Sequence, residues 1–226
     1  MINGGEVYKC SSYGIISVLP KDSTPSYAYT GGICGMISGG LVMNSFTQCN
    51  VSVQADISYA GGISGLSENS SIQNVYTINC INQRGNLKMD RMQIFAGGIS
   101  GYNSDGNISG AVAINPYIIT NGTAGEICAL TTGGYVDNNY YADSFKINSN
   151  KTNDTETGIM IALKKLKGLD FFVTPVEKGG LLGWLGANEG ESVWIASSRF
   201  TYPFPTLSGV DNQTVFSIPA EIKNAK

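Results

Sequence analysis

Histidine is absent from the 226-residue chain. That absence excludes Ser-His-Asp and Cys-His nucleophiles, the HExxH zinc site and any imidazole acid or base. Charge is scarce as well: charged side chains make up 14% of the residues, against about 25% in an average soluble domain. With 14 basic and 17 acidic side chains, the chain lacks the basic footprint that neutralises phosphates, so no nucleic-acid partner is expected. No apolar run approaches the ~20 residues that span a bilayer, so no transmembrane segment is expected. No secretory signal stands at the start, where Asn3-Gly4-Gly5 follow closely on Met1; a chain trimmed upstream is the expectation.

Five cysteines are present (Cys10, Cys34, Cys49, Cys80 and Cys128), an odd number with no C-x-x-C spacing. That pattern speaks against a zinc site or a redox motif and for small buried residues. Disulfides stay open, with at least one thiol unpaired in the monomer. No metal and no cofactor are expected.

What is abundant is glycine, 29 residues, nearly double the usual share of about 7%. Residues 1–141 hold 21 of these glycines and 11 of the 12 tyrosines, but 13 charged residues; residues 142–226 hold 18 charged residues and both tryptophans. Two parts of unlike architecture are expected, divided there. The first part repeats one phrase: Thr30–Gly35 (TGGICG), Ala60–Gly65 (AGGISG), Ala96–Gly101 (AGGISG) and a degraded Ala124–Ala129 (AGEICA). At a constant interval after each phrase come an aliphatic residue (Val42, Ile72, Ile108, Val136), a small or amide residue (Asn44, Asn74, Gly110, Asn138) and a hydrophobic one (Phe46, Tyr76, Val112, Tyr140). Gly5-Glu6-Val7-Tyr8-Lys9 reads as the second half of another copy.

Within a repeat, stretches such as Ile72-Gln73-Asn74-Val75-Tyr76-Thr77-Ile78 alternate with the period of a strand, and Gly, Ser and Asn mark the corners. One such coil cannot bury its apolar side. Stacked coils bury Ile33, Ile63, Ile99 and Ile127 as one ladder and Val42, Ile72, Ile108 and Val136 as a second. Asn44, Asn74 and Asn138 are expected to form a third, their amides hydrogen-bonding along the stack. The glycines (Gly31, Gly32, Gly35; Gly61, Gly62, Gly65; Gly97, Gly98, Gly101) are expected where backbones approach too closely for a side chain. The expected fold is mainly β, a parallel solenoid of about four to five coils.

The repeated AGGISG/TGGICG phrase and its aliphatic-x-Asn-x-aromatic strand resemble the GLUG repeat of bacterial surface proteins, which also occurs in the non-catalytic region of immunoglobulin A-cleaving metallopeptidases. The resemblance spans about residues 5–141. It implies a right-handed β-helix-like stack, an extracellular or cell-surface setting and an adhesion role. The metallopeptidase's zinc motif has no counterpart here, so its activity is not implied.

Residues 142–226 are expected to form a small α/β cap over the last coil, with one helix at about 157–168. Ile159, Leu163, Leu166 and Leu169 carry the helical spacing, with Thr157 as N-cap and Gly168 as terminator. Trp184 and Trp194, with Phe171 and Phe172, are expected to form the core of this cap, and Val215–Ile222 a last strand or linker.

For function, the second repeat runs longer than the first near Gln83–Gln93, and its excess holds Arg84, Lys88, Asp90 and Arg91, the expected ligand-binding loop. Asp56, Asp90, Asp105 and Asp137 fall at different registers, so no catalytic carboxylate pair is expected. Tyr59, Tyr76, Tyr102, Tyr117, Tyr135, Tyr140 and Tyr141 could stack on sugar rings if exposed, though strand packing accounts for most of them. The chain therefore reads as a non-enzymatic surface module, an adhesin or spacer whose partner is a host or cell-surface protein or glycan. The alternative is the accessory or carbohydrate-binding region of a larger surface enzyme.

Overall fold

Each repeat turns its period-two alternation into short strands broken by residues that tolerate left-handed backbone. The structure, a computed structural model, describes residues 1–19, 26–85, 93–152, 158–174, 178, 180–184, 193–197 and 202–209. The fold is mainly β, and among the described residues its strand pairing is parallel save for one antiparallel contact between Trp194–Ile195 and Thr206–Leu207.

Three parallel sheets carry the chain. The first sets Ile2–Asn3, Cys34–Ser38, Ser64–Glu68, Ser100–Ser104 and Cys128–Thr132 side by side. In the second lie Tyr27–Gly31, Ile57–Gly61, Gln93–Gly97, Thr123–Gly125 and Lys151–Thr152. The third is the largest and centres on Leu41–Gln54, which pairs with Glu6–Tyr8 and Ser11–Val18 on one edge and with Ser71–Thr77 and Cys80–Arg84 on the other.

Register follows the repeated phrase. Gly31 pairs with Gly61, Gly61 with Gly97 and Gly97 with Gly125. Val42, Ile72, Ile108 and Val136 pair in a row, as do Phe46, Tyr76, Val112 and Tyr140. Hydrogen bonds continue through the corners, from Ile33 N to Ile63 O (3.1 Å), Ile63 N to Ile99 O (2.8 Å) and Ile99 N to Ile127 O (2.9 Å). A parallel sheet buried between others needs apolar residues on its inner face. Ile63, Ile72, Ile99, Ile108 and Ile127 meet that need and are wholly buried in one cluster, each worth about 1.5–3 kcal/mol of transfer free energy.

Beyond Tyr141 the parallel pairing continues. Lys146–Asn148 pairs with Tyr117–Ile119, Lys151–Thr152 with Thr123–Ala124, and Ile159–Ile161 with Tyr140–Ala142. This corrects the expected helix at about 157–168. Ile159–Ile161 is a strand, because the exposed edge of Tyr140–Ala142 offers hydrogen bonds that a helix would forgo, such as Ile159 N to Asn139 O (2.8 Å). Only Leu163–Leu166 is helical there, followed by Asp170–Val173. Asp143 Oδ1 accepts from Leu163 N (3.0 Å) and so supplies a cap from a distant residue. Gly168 follows the first helix at φ +100°, a conformation glycine adopts freely. Thr157, the expected N-cap, and Val215–Ile222 lie outside the described residues.

The expected cover over the last coil also needs correcting. Trp184 and Trp194 are wholly buried, and they pack against the largest sheet, on the row that carries Phe46 and Tyr76. Trp194 lies 6.3 Å from Phe46 and 5.7 Å from Tyr76, ring to ring, and Trp184 Nε1 donates to Gly110 O (3.1 Å). Tyr76 Oη donates to Pro205 O (2.6 Å) and shares a hydrogen bond with Tyr202 Oη (2.9 Å). The physical reason is the Phe46–Tyr76–Val112–Tyr140 row, which faces away from the isoleucine core and would present several large rings to water if nothing covered it.

Candidate functional site

The residues singled out by the repeat divide into two roles. Gly31, Gly61 and Gly97 have no room for a side chain: a Cβ on Gly61 would strike Ser64 O, and one on Gly97 would strike Ser100 O. Gly32, Gly62 and Gly98 face the neighbouring repeat equally closely, as do Gly35, Gly65 and Gly101 the strand before the corner. These nine positions bring two sheets together backbone to backbone.

Asn44, Asn74 and Asn138 do something other than expected. All three have φ +50°, Gly110 in the same row has φ +61°, and Lys9, one residue past the Tyr8–Met43 pair, has φ +54°. The row is a left-handed corner, a conformation that asparagine accepts more readily than other side-chain-bearing residues. No amide ladder runs through it. Both side-chain polar atoms of Asn44 are buried without a hydrogen-bond partner, and Asn138 Oδ1 accepts from its own neighbour Tyr140 Oη (3.3 Å). A second left-handed row runs through Gly4, Gly39, Asn69, Asp105 and Gly133, at φ +67°, +62°, +45°, +52° and +69°.

The amide ladder lies elsewhere, on Asn79 and Asn115. Asn79 Oδ1 accepts from Thr47 Oγ1 (2.9 Å) and Cys49 N (3.2 Å), while its Nδ2 donates to Gly62 O (3.2 Å). Asn115 repeats the pattern one level on, accepting from Thr77 Oγ1 and Asn79 N (2.9 Å each) and donating to Gly98 O (3.1 Å). The signal in the sequence was the spacing Thr77-x-Asn79 and Ala113-x-Asn115, which keeps the same interval as the glycine phrase.

Of the expected ligand-binding residues, Arg84 is described; Lys88, Asp90 and Arg91 lie outside the described residues. Arg84 ends the strand Cys80–Arg84 and is exposed. It lines a cleft of about 300 Å³ with Gln83, Gly85, Ile119, Asn121 and Asn150. The wall is built by amides: Asn121 Oδ1 accepts from Gly85 N (2.8 Å), Asn121 Nδ2 donates to Gly85 O (3.3 Å), and Asn150 Nδ2 donates to Asn121 O (2.8 Å). Below them Gln83 is wholly buried, its Nε2 donating to Ser58 O (2.8 Å) and its Oε1 accepting from Thr120 Oγ1 (3.2 Å). Sequence reasoning found the arginine and missed the asparagines, which come from later repeats.

The tyrosines are mostly structural. Tyr59, Tyr76 and Tyr140 are buried, whereas Tyr135 is 59% exposed. Tyr29 and Tyr59 stack at 5.1 Å, and Tyr102 meets Tyr59 edge-on at 5.4 Å. Rings that occupy one another's faces leave little platform for a sugar. Burial raises the Tyr59 phenol, with Tyr29 and Tyr102 adding to the shift. It also pushes the Cys34 thiol from 9.0 up to about 12, and none of the five cysteines forms a disulfide among the described residues.

Asp56 Oδ2 accepts from Ser26 N (2.9 Å) and Ser26 Oγ (3.0 Å), a turn-like contact between repeats. Asp105 occupies the second left-handed row and Asp137 pairs with Ser109, so these three carboxylates lie on different rows. Among the described residues no group of three or more Cys, Asp and Glu side chains is placed to hold a metal ion, and no helix is long and apolar enough to cross a membrane. No family model, no curated protein and no solved structure matches the chain.

Proposed function

We propose that the chain is a right-handed parallel β-solenoid of GLUG-like repeats, a non-catalytic module of a bacterial surface protein that works outside the cell as an adhesin or spacer. The observation that carries this reading is the register: each repeat lays its strands on those of the repeat before, glycine on glycine and isoleucine on isoleucine. Repeats that contact mainly their neighbours make a scaffold whose length grows with repeat number, which suits the presentation of a surface away from its point of attachment. A chain carrying a second copy of residues 61–96 should fold with more β circular dichroism and no loss of cooperativity, because a solenoid accepts a further unit between neighbours, and beads coated with the original chain should attach to host cells or their matrix. A duplicated chain that does not fold would overturn the solenoid, and attachment no stronger than that of albumin-coated beads would leave the spacer role alone.

A second reading, an accessory carbohydrate-binding region of a larger surface enzyme, is favoured by one observation: the Arg84 cleft, with its amide walls and the Arg84 guanidinium.

A further inference from the structure

We infer that the Arg84 cleft is a subsite for one acidic sugar residue of a glycan chain, a ligand anionic through a carboxylate or a sulfate ester. The inference deepens the surface-module reading and rests on it.

The size of the cleft comes first. At about 300 Å³ it stands at the lower end of the range for ligand sites, about 300–1,000 Å³, so it admits a single ring-sized unit. The chemistry of its lining comes next. Arg84 supplies one guanidinium, a planar fork that holds a carboxylate or sulfate through two parallel hydrogen bonds. Among the described residues no carboxylate is paired with it, and Arg84 lines the cleft. Among the described lining residues Arg84 is the one cation, which suits one anionic group, whereas a phosphate backbone needs a row of them. Beside the charge, on the neighbouring strand, Ile119 is 36% exposed and gives an aliphatic surface for the C–H face of a ring. Asn150 is exposed, and one of its Nδ2 hydrogens is used on Asn121 O, which leaves its amide oxygen to accept from a sugar hydroxyl.

Rigidity is the third point. Asn121 clamps both backbone groups of Gly85, the residue that follows Arg84, and it does so from the next repeat. Gln83, the residue before Arg84, is wholly buried and held by Ser58 and Thr120. The arginine thus projects from a backbone pinned on both sides, which removes the backbone part of the ordering cost on binding. The cleft also spans strands from successive repeats, Cys80–Arg84 and Tyr117–Thr120, so a linear glycan has a surface to follow along the stack.

The test is titration calorimetry on the full chain with polygalacturonate, heparin and neutral dextran. Binding of polygalacturonate assigns the carboxylate, and binding of heparin alone assigns the sulfate ester. In either case Arg84→Gln should weaken binding by tenfold or more and Arg84→Lys by less, with the melting temperature unchanged. Affinity should also fall as salt is raised. No binding of either acidic glycan, equal binding of dextran, or full binding by the Arg84→Gln chain would overturn the inference. The two readings fail separately: absence of Arg84-dependent glycan binding overturns the subsite and leaves the surface-module reading standing, whereas a chain with a duplicated repeat that does not fold removes the reading on which the subsite rests.

Discussion

At the scale of single residues, glycine has two separate duties in this chain, and they carry different energetic costs. Gly39 has φ +62° and open space around it; an alanine there meets only the left-handed backbone penalty, about 1–2 kcal/mol. Gly62 is the opposite case: a Cβ would meet Gly98 O and the Thr77 side chain, and backbone cannot yield as a flexible side chain can. Gly62→Ala should therefore cost more than Gly39→Ala, about 3 kcal/mol or above, in urea unfolding. Equal midpoints for the two variants would show that the close approach is relieved by a shift of the whole repeat. The sequence distinguishes the two duties only in part. Asparagine replaces glycine at the corner (Asn44, Asn74, Asn138 beside Gly110), whereas in the close-approach phrase the replacements occur at its degraded last copy, Glu126 and Ala129.

At the scale of elements, the C-terminal aromatics and the repeat strands are joined through Tyr76 and Tyr202, two phenols whose oxygens lie 2.9 Å apart. Burial raises both above the usual 10.0, and for Tyr76 the neighbouring Tyr202 adds to the effect. The sign is that of an acid held protonated by folding. The stability these groups contribute is complete below pH 10 and falls as pH rises beyond it, because the unfolded chain releases protons that the folded chain keeps. The slope is at most about 1.4 kcal/mol per pH unit for each group. Urea midpoints measured from pH 9 to 11.5 should fall steadily, with Cys34, raised from 9.0 to about 12, joining in the same direction. Tyr202→Phe should flatten the curve above pH 10. An unchanged slope in that variant would mean that the pair is hydrated in solution.

At the scale of the molecule, the described residues between Leu163 and Leu207, Phe172, Trp184, Trp194 and Phe204 among them, act as a lateral roof. It seals a row that runs across four repeats, Phe46, Tyr76, Val112 and Tyr140, together with Ile78 and Ile114 beside it. Deleting residues 163–226 should leave the isoleucine cluster of the stack intact and bare this row. The shortened chain should retain its β circular dichroism, bind an apolar dye strongly and self-associate in sedimentation. A shortened chain that stays monomeric and binds no dye would contradict the assignment of the roof to this row.

Much of the fold was legible from the repeat. Strand periodicity and a phrase recurring at Gly31, Gly61, Gly97 and Gly125 determine which residues become neighbours, because identical units stack best in identical register. Arg84 was legible as an exposed charge in a lengthened repeat. What the tertiary structure alone decided were the features that depend on distant partners or on backbone angle. Ile159–Ile161 joins a sheet edge instead of a helix because Tyr140–Ala142 is there to receive it. Asn79 and Asn115, rather than Asn44 and Asn74, carry the amide hydrogen bonds, because the latter occupy the left-handed corner, where their backbone conformation is what the fold uses. The tryptophans roof a flank because Tyr76 and Tyr202, 126 residues apart in the chain, meet there. Local pattern sets period and register; the choice among the surfaces that those strands expose is made only when the whole chain competes to bury them.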